Sequence, residues 1–210
     1  MFALLFLLIA IPVIHDLSDW SSPTLRLLAF SVVLLSGVWS LHRSRVWFAA
    51  GMCLVVIGVI LNVLALNLGT TAFTIATLIA FFLFLLLTII IAGQEVVMQE
   101  TVNTNRLVGA ICVYLLLGAL WALAYEILQL VDPGAFRSAS DTANLEQSHE
   151  WLYYSFVTLT TLGYGDVVPI SATARAMAYM EAIFGQFYIA ILVAGLVSAY
   201  LGSRQAKTGS

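Results

Sequence analysis

Residues 148–166 read Ser-His-Glu-Trp-Leu-Tyr-Tyr-Ser-Phe-Val-Thr-Leu-Thr-Thr-Leu-Gly-Tyr-Gly-Asp, an apolar and aromatic run that ends in two glycines separated by one residue. Ser148 is suited to cap a helix, and Glu150 falls in the first turn, where a negative charge interacts favourably with the helix dipole. We predict a helix over residues 150–161, which is about three turns. Such a helix is too short to cross a bilayer, because a span requires about 20 residues.

The composition of the chain places most of it in lipid. Of its 210 residues, 62% are hydrophobic and 9% are charged, and the mean hydropathy is +1.03. These values lie far outside the range of soluble domains. The net charge of −3 and a single lysine, Lys207, argue against a nucleic-acid partner, which would need a basic surface.

Six apolar runs are candidates for spans, and backbone hydrogen bonding in lipid requires such spans to be helical. The runs are 1–14, 24–41, 46–66, 70–92, 107–130 and 172–201. The first is short, and the alternative is the core of a signal peptide; no basic residue precedes it and no small-residue cleavage site follows, so we interpret it as a span. The expected fold is an all-α integral membrane protein with six transmembrane helices and a re-entrant pore helix and loop between spans 5 and 6.

The backbone after the short helix has to be accommodated at membrane depth. Non-helical backbone is tolerated there only where protein buries it or where it lines water. Gly163 and Gly165 supply such backbone, because glycine adopts dihedral angles that a β-carbon disfavours. The same residues also form tight turns in soluble proteins, but here they follow a double threonine and a half-length apolar helix between two spans. A water-lined path is therefore expected.

The segment Thr160-Thr161-Leu162-Gly163-Tyr164-Gly165-Asp166 resembles the signature of the potassium channel family. The resemblance extends over about residues 107–201 and includes an outer helix, a pore helix, Asp166 followed by Pro169, and an inner helix that contains Gly185. Leu162 stands where valine is usual in the family. The resemblance implies a potassium-selective channel subunit rather than an enzyme, a homotetramer in the bilayer of the cell membrane, with K⁺ as the permeant ligand and no cofactor.

In a filter of this kind, K⁺ exchanges its hydration shell for oxygen ligands of the protein. The resemblance implies that the carbonyl oxygens of Thr161, Leu162, Gly163 and Tyr164, with the Thr161 hydroxyl, bind the ion in rings completed by four chains. The filter would comprise Thr161, Leu162, Gly163, Tyr164 and Gly165. Filter support and the pore mouth are expected to involve Thr160, Asp166, Trp151, Tyr153 and Tyr154. Tyr164 is expected to point away from the pore axis and to pack with the three aromatic residues of the pore helix.

In the last span, Gly185 is expected to serve either as a hinge of the inner helix or as a site of close packing, with equal weight. Helical spacing assigns a mainly apolar face to the cavity. This face consists of Gln186, Ile189, Ala190, Val193, Ala194 and Val197. Glu126 and Glu181 are the acidic residues within spans, where a carboxyl group is by default a functional candidate. We favour hydrogen bonding to or behind the pore helix over a proton-sensing gate.

The layout suggests a four-helix membrane domain (1–92), a linker (93–106), a pore domain (107–202, inner helix 172–201) and a short cytoplasmic tail (203–210). The run 70–92 contains no basic residue, so steep voltage gating is not expected, because each charge moved across the field contributes about 2.3 kcal/mol per 100 mV. Basic residues favour one side of the membrane, which places both termini in the cytoplasm. The five on that side are Arg43, Arg45, Arg106, Arg204 and Lys207, against Arg26, Arg137 and Arg175. No gating ligand or regulatory subunit can be identified.

Two other transport functions stay open at this level. One is a less selective monovalent cation channel. The other is a potassium transporter subunit, although such transporters usually carry four filter-like loops in one chain and this sequence has one. A membrane enzyme is disfavoured, because no span carries a serine, cysteine or metal-ligand cluster with a paired base.

Overall fold

The computed structural model describes residues 45–98, 104–138 and 148–208. Within those ranges the chain forms five helices and two short strands. The helices are α1 (Arg45–Leu68), α2 (Thr71–Met98), α3 (Thr104–Val131), α4 (Ser148–Leu159) and α5 (Ala172–Thr208), and the strands are β1 (Phe136–Ser138) and β2 (Val167–Pro169). The predicted runs 1–14 and 24–41 lie outside the described residues, so the number of six spans stays a prediction.

Four of the described helices are long and apolar enough to cross a membrane. Their candidate spans are Ala49–Leu68, Thr71–Gln94, Arg106–Val131 and Ala172–Gly195. They coincide with the third to sixth predicted runs. The helices differ from the predicted runs mainly at their ends. Helices α2 and α3 occupy most of the predicted linker 93–106, and α5 continues through most of the predicted tail 203–210. Apolar runs stop at the first polar residues, whereas Gln94 and Glu95 are good helix formers that extend α2.

The first three helices pack in chain order, α1 on α2 and α2 on α3. Gly69 ends α1 in the left-handed conformation, with φ of 62°, and its N–H donates to the Ala65 carbonyl at 2.9 Å. This is a glycine cap that turns the chain back along α1. Leucine and phenylalanine side chains fill the contact between α2 and α3. The buried members are Leu78, Phe81, Phe84, Leu85, Leu116, Leu120 and Leu123.

A small two-stranded antiparallel sheet links the end of α3 to the start of α5. Phe136 of β1 lies opposite Pro169 of β2, and Ser138 lies opposite Val167. The Ala135 carbonyl also accepts from the Ile170 and Ser171 N–H groups at 2.7 and 3.2 Å. This sheet was not predicted, because strands of three residues are too short to show a periodicity in the sequence. It closes the segment that contains α4 at both ends.

Candidate functional site

Helix α4 is a short helix held between two long ones. It has 12 residues and is about 18 Å long at 1.5 Å per residue, well short of the membrane thickness. It contacts α3 along one side and α5 along the other. The predicted bounds 150–161 are displaced by two residues at each end, since the helix runs from Ser148 to Leu159. The next residues leave the helix and lead into the TLGYG segment, residues 161–165.

Two glycines allow α4 to approach its neighbours closely. A β-carbon on Gly118 of α3 would lie 2.6 Å from the Phe156 ring. A β-carbon on Gly185 of α5 would lie 2.2 Å from the Leu159 carbonyl oxygen, which is backbone and cannot rotate away. Gly185 therefore sits at a close helix contact, the packing role considered from the sequence. Gly118 was not singled out there, although small residues are typical of close helix contacts in membranes.

The TLGYG segment begins with backbone hydrogen bonds to α4. The Thr161 N–H donates to the Thr158 carbonyl at 2.9 Å, and the Leu162 N–H donates to the Val157 carbonyl at 2.9 Å. The Gly163 N–H also reaches the Val157 carbonyl, at 3.3 Å. These bonds satisfy carbonyl groups that the end of a helix leaves without partners. The first three residues of the segment are thus bonded to the last turn of α4.

Alternate residues of the TLGYG segment adopt the left-handed backbone conformation. The φ angles are 59° at Thr161, 58° at Gly163 and 77° at Gly165. The two glycines occupy the positions at which the sequence predicts unusual dihedrals. Thr161 is the unexpected member, because a β-branched residue in this region costs about 1–3 kcal/mol and persists only where its surroundings enforce it. Strain of this size is characteristic of functional backbone.

The Thr161 side chain is contacted from α5. The Gln186 amide donates to the Thr161 hydroxyl at 3.3 Å. Gln186 was assigned to the cavity face, so the structure brings one cavity candidate to the first residue of the TLGYG segment. The other candidates on α5, namely Ile189, Ala190, Val193, Ala194 and Val197, are exposed in the single chain. Exposure extends around α5, for example to Phe187 and Ile191, and does not single out the predicted face.

The TLGYG segment is not covered by its own chain. Leu162 is 56% exposed and Tyr164 is 67% exposed. Thr160 and the remaining residues of the segment are exposed as well. In a membrane protein, large apolar and aromatic side chains that one chain leaves exposed are covered by lipid or by another protein surface. The segment therefore presents its backbone and its side chains to surroundings beyond the single chain.

Tyr153 contacts the C-terminal end of the TLGYG segment and the residue that follows it. Its hydroxyl donates to Asp166 Oδ2 at 2.5 Å, and its ring stacks on Tyr164 with a centroid distance of 6.5 Å and an interplanar angle of 7°. The hydrogen bond to Asp166 is the main reason that the pKa of Tyr153 is raised to about 12. The other carboxylate oxygen of Asp166 accepts from the Val167 N–H at 3.0 Å. Tyr153, Tyr164 and Asp166 thus lie together.

Trp151 and Tyr154 lie in a different cluster from Tyr153 and Tyr164 within the single chain. Both are buried in an aromatic cluster behind α4, where Phe136 of β1 lies 4.9 Å from the Trp151 ring and 5.5 Å from the Tyr154 ring. Tyr125 of α3 lies 4.9 Å from Tyr154. Residues 151 and 154 share one face of the helix, and Tyr153 lies on another, so the three aromatic residues cannot all face Tyr164. Phe136 and Tyr125 were missed because they are distant in the sequence.

A buried polar cluster joins α4 to its two neighbours, α3 and α5. We call it the carboxyl node and define it by Gly118, Tyr125, Ser155 and Glu181. The Tyr125 hydroxyl donates to Glu181 Oε2 at 2.6 Å. Ser155 Oγ lies 2.5 Å from Glu181 Oε1 and 2.8 Å from the Gly118 carbonyl oxygen. Ser155 and Glu181 have no solvent-exposed surface.

The carboxyl node places one of the two intramembrane carboxyl groups behind α4. Glu181 bonds to α4, the scaffold role that was favoured from the sequence. Glu126 is half-buried on α3, next to Tyr125 in the chain, and is not a member of the node. Ser155 was the available sequence signal, since it is a polar residue in an apolar half-helix. Among the described residues no group of histidine, cysteine, aspartate and glutamate side chains is arranged to hold a metal ion.

Comparisons with known proteins place the similarity in this part of the chain. Residues 110–201 match the model of a family described as an ion channel. The chain is 31% identical over 82 residues to the inward rectifier potassium channel Kirbac3.1 of Paramagnetospirillum magnetotacticum, a match that covers 37% of this chain and 24% of the relative. Two-pore potassium channel 2 of Arabidopsis thaliana is 30% identical over 100 residues, with 46% and 19% covered.

Two-pore potassium channel 3 of Arabidopsis thaliana is 37% identical over 60 residues, which covers 27% of this chain and 14% of the relative. The chain thus spans about a quarter or less of the length of these relatives. No solved structure gives a significant match. The matches support an ion channel segment over residues 110–201, and together with four apolar helices they support a membrane protein.

Proposed function

We propose that the chain is one subunit of a homotetrameric, potassium-selective channel, with the TLGYG segment as its selectivity filter. The observation that carries the proposal is the alternation of left-handed residues at 161, 163 and 165, directly after a half-length helix. Residues that alternate between right-handed and left-handed conformations turn successive carbonyl groups toward one side of the chain. A column of carbonyl oxygens is what replaces the hydration shell of K⁺.

In this proposal the carbonyl oxygens of Thr161, Leu162, Gly163 and Tyr164 are the ion ligands, with the Thr161 hydroxyl at the inner end. One segment offers oxygen ligands from one side only, so several chains have to supply each ring, and the resemblance to potassium channels implies four. The exposed side chains of Leu162 and Tyr164 then find their partner surface in neighbouring subunits. The named relatives are potassium channels, which supports K⁺ as the ion.

The proposal extends to voltage gating and to the arrangement of the chain in the membrane. Helix α2 carries no basic residue, so we propose a pore that is not steeply voltage-gated. The proposed location is the cell membrane, with six spans, a re-entrant α4 and both termini cytoplasmic. Passive conduction needs no bound cofactor, so the proposal includes none.

The test uses two glycines that have the same backbone conformation. Gly163 has φ of 58° and Gly69 has φ of 62°, and a β-carbon on either would meet no atom within 4 Å. Alanine therefore imposes only the backbone cost, about 1–2 kcal/mol, at both positions. We expect Gly163→Ala to abolish K⁺ flux into liposomes and Gly69→Ala to retain it. The measurement is K⁺ uptake into liposomes that contain the purified full chain, with the same amount of protein for each variant.

The same liposomes separate the proposal from its alternatives. Equal flux in Gly163→Ala and Gly69→Ala would remove the filter assignment. Reversal potentials in mixed K⁺ and Na⁺ report selectivity, and a potential that does not follow the K⁺ gradient would indicate the less selective cation channel instead.

A further inference from the structure

The carboxyl node contains three short oxygen–oxygen contacts and therefore requires three hydrogens. The contacts are Tyr125 Oη to Glu181 Oε2 at 2.6 Å, Ser155 Oγ to Glu181 Oε1 at 2.5 Å, and Ser155 Oγ to the Gly118 carbonyl oxygen at 2.8 Å. All three distances fall in the range of O–H···O hydrogen bonds. Without a hydrogen between them, two oxygen atoms at such a distance repel each other.

The hydroxyl groups of the carboxyl node supply only two of the three hydrogens. Tyr125 and Ser155 each carry one, and a backbone carbonyl oxygen carries none. The Tyr125 hydrogen is used by Glu181 Oε2, and the Gly118 carbonyl oxygen can only accept, so it takes the Ser155 hydrogen. The contact between Ser155 Oγ and Glu181 Oε1 is then left without a hydrogen unless Glu181 provides it.

We propose that Glu181 is a neutral carboxylic acid whose Oε1–H donates to Ser155 Oγ, and that it acts as the positioning residue that fixes α4 between α3 and α5. The hydrogen bonds then run in one direction, from Glu181 to Ser155 and from Ser155 to Gly118, while Tyr125 donates to the Glu181 carbonyl oxygen, Oε2. Every hydroxyl hydrogen has one acceptor.

An ionised Glu181 fits the surroundings less well. It would accept from both hydroxyls and leave the Gly118 contact without a hydrogen. It would also place a negative charge at a position with no solvent exposure, bonded to partners that bring no positive charge. Buried charges of this kind are costly in proteins and more so in membranes.

The carboxyl node fixes both the position of α4 along its own axis and its rotation about that axis. This follows because its members lie on α3 (Gly118 and Tyr125), α4 (Ser155) and α5 (Glu181). The TLGYG segment is bonded to the last turn of α4, so its position depends on the same contacts. This functional consequence rests on the proposed function, whereas the protonation of Glu181 does not.

The test of protonation is infrared spectroscopy on the purified full chain at neutral pH. A protonated carboxyl group has a C=O stretching band that is separate from the bands of carboxylates. We expect wild-type protein to show such a band, Glu181→Gln to lack it, and Glu126→Gln to retain it. Tyr125→Phe should keep the band but move it to higher frequency, because Oε2 loses its hydrogen-bond donor.

The test of positioning compares a conservative with a non-conservative variant. Glutamine reproduces the neutral acid, since its NH₂ donates to Ser155 and its carbonyl accepts from Tyr125. We expect Glu181→Gln to keep the thermal midpoint and the K⁺ flux of the wild type. Glu181→Ala leaves the Tyr125 hydroxyl without an acceptor and should lower the midpoint by several degrees and reduce flux.

The outcomes separate this proposal from the proposed function. A band that survives in Glu181→Gln, or a wild type without such a band, overturns the protonation. A midpoint for Glu181→Gln as low as that of Glu181→Ala overturns the positioning role. If the band and the midpoints behave as expected while even the wild type passes no K⁺, the carboxyl node stands and the channel function fails.

Discussion

Tyr153 holds Asp166 by its hydroxyl and Tyr164 by its ring, so one side chain of α4 contacts both the TLGYG segment and the residue that follows it. These are two separable interactions. The stack needs only an aromatic ring, and the hydrogen bond needs only the hydroxyl. The raised pKa of Tyr153, about 12, means that its hydroxyl stays protonated, and so stays a donor, well into the alkaline range.

Removal of this hydroxyl should produce a stability difference that disappears at high pH. Tyr153→Phe keeps the ring and loses the bond, at a cost of about 1 kcal/mol for a partly exposed group. The pKa of tyrosine is 10.0 unfolded and about 12 in the fold, so the bond stabilises the fold fully below pH 10 and its contribution is lost as pH rises through 12. The midpoint difference between wild type and Tyr153→Phe should therefore be constant up to pH 10 and shrink above it.

Tyr179→Phe is the matched control for the loss of a tyrosine hydroxyl, since Tyr179 is exposed on α5. The midpoints of the two variants should therefore approach each other as the pH rises from 10 to about 12, since only Tyr153→Phe removes the Asp166 bond. Parallel pH profiles of the two variants would contradict the role of the Asp166 bond.

At the scale of elements, helices were predictable and their contacts were not. The four described spans follow from apolar runs alone, because lipid leaves the backbone no other structure. The half-length of α4 and the dihedrals of Gly163 and Gly165 follow from local sequence. In contrast, Tyr125 and Glu181 are 56 residues apart, and Ser155 and Glu181 are 26 apart, so no pattern within one helix links them. The burial of Trp151 and Tyr154 depends on β1, a strand of three residues that local sequence does not indicate.

The contact between α4 and α5 gives a prediction that belongs to this scale. In Gly185→Ala, the new β-carbon would lie 2.2 Å from the Leu159 carbonyl oxygen, so α5 has to move away from α4. Overpacking of this kind costs about 1–3 kcal/mol. We expect a lower thermal midpoint and a loss of most K⁺ flux.

Gly195→Ala provides the control within the same helix. A β-carbon there would meet no atom within 4 Å, and alanine is the better helix former. Its midpoint should equal or exceed that of the wild type, with flux retained. Equal loss of flux in both variants would favour a flexible hinge along α5 over the close contact at Gly185.

At the scale of the whole molecule, a single chain leaves its most distinctive features uncovered. The TLGYG segment is exposed, and so are the large apolar side chains of α5 on more than one face. Lipid can cover apolar side chains, but it cannot satisfy the backbone of a non-helical segment. That backbone requires either protein or water around it. In the proposed tetramer, four TLGYG segments around one axis would have water on the side of the axis and protein on the other side.

The number of subunits follows from mixing active and inactive chains. If one Gly163→Ala chain is enough to disable a pore of four, equal co-expression with wild type leaves about one pore in sixteen without a mutant chain, by independent assortment in a closed ring. K⁺ flux per unit of protein should then fall to about 6%, whereas a dimer with the same rule would retain about 25%. Gly69→Ala, mixed in the same ratio, should leave flux unchanged. A linear decline with the mutant fraction would mean that each chain conducts alone, and the tetrameric filter would have to be abandoned.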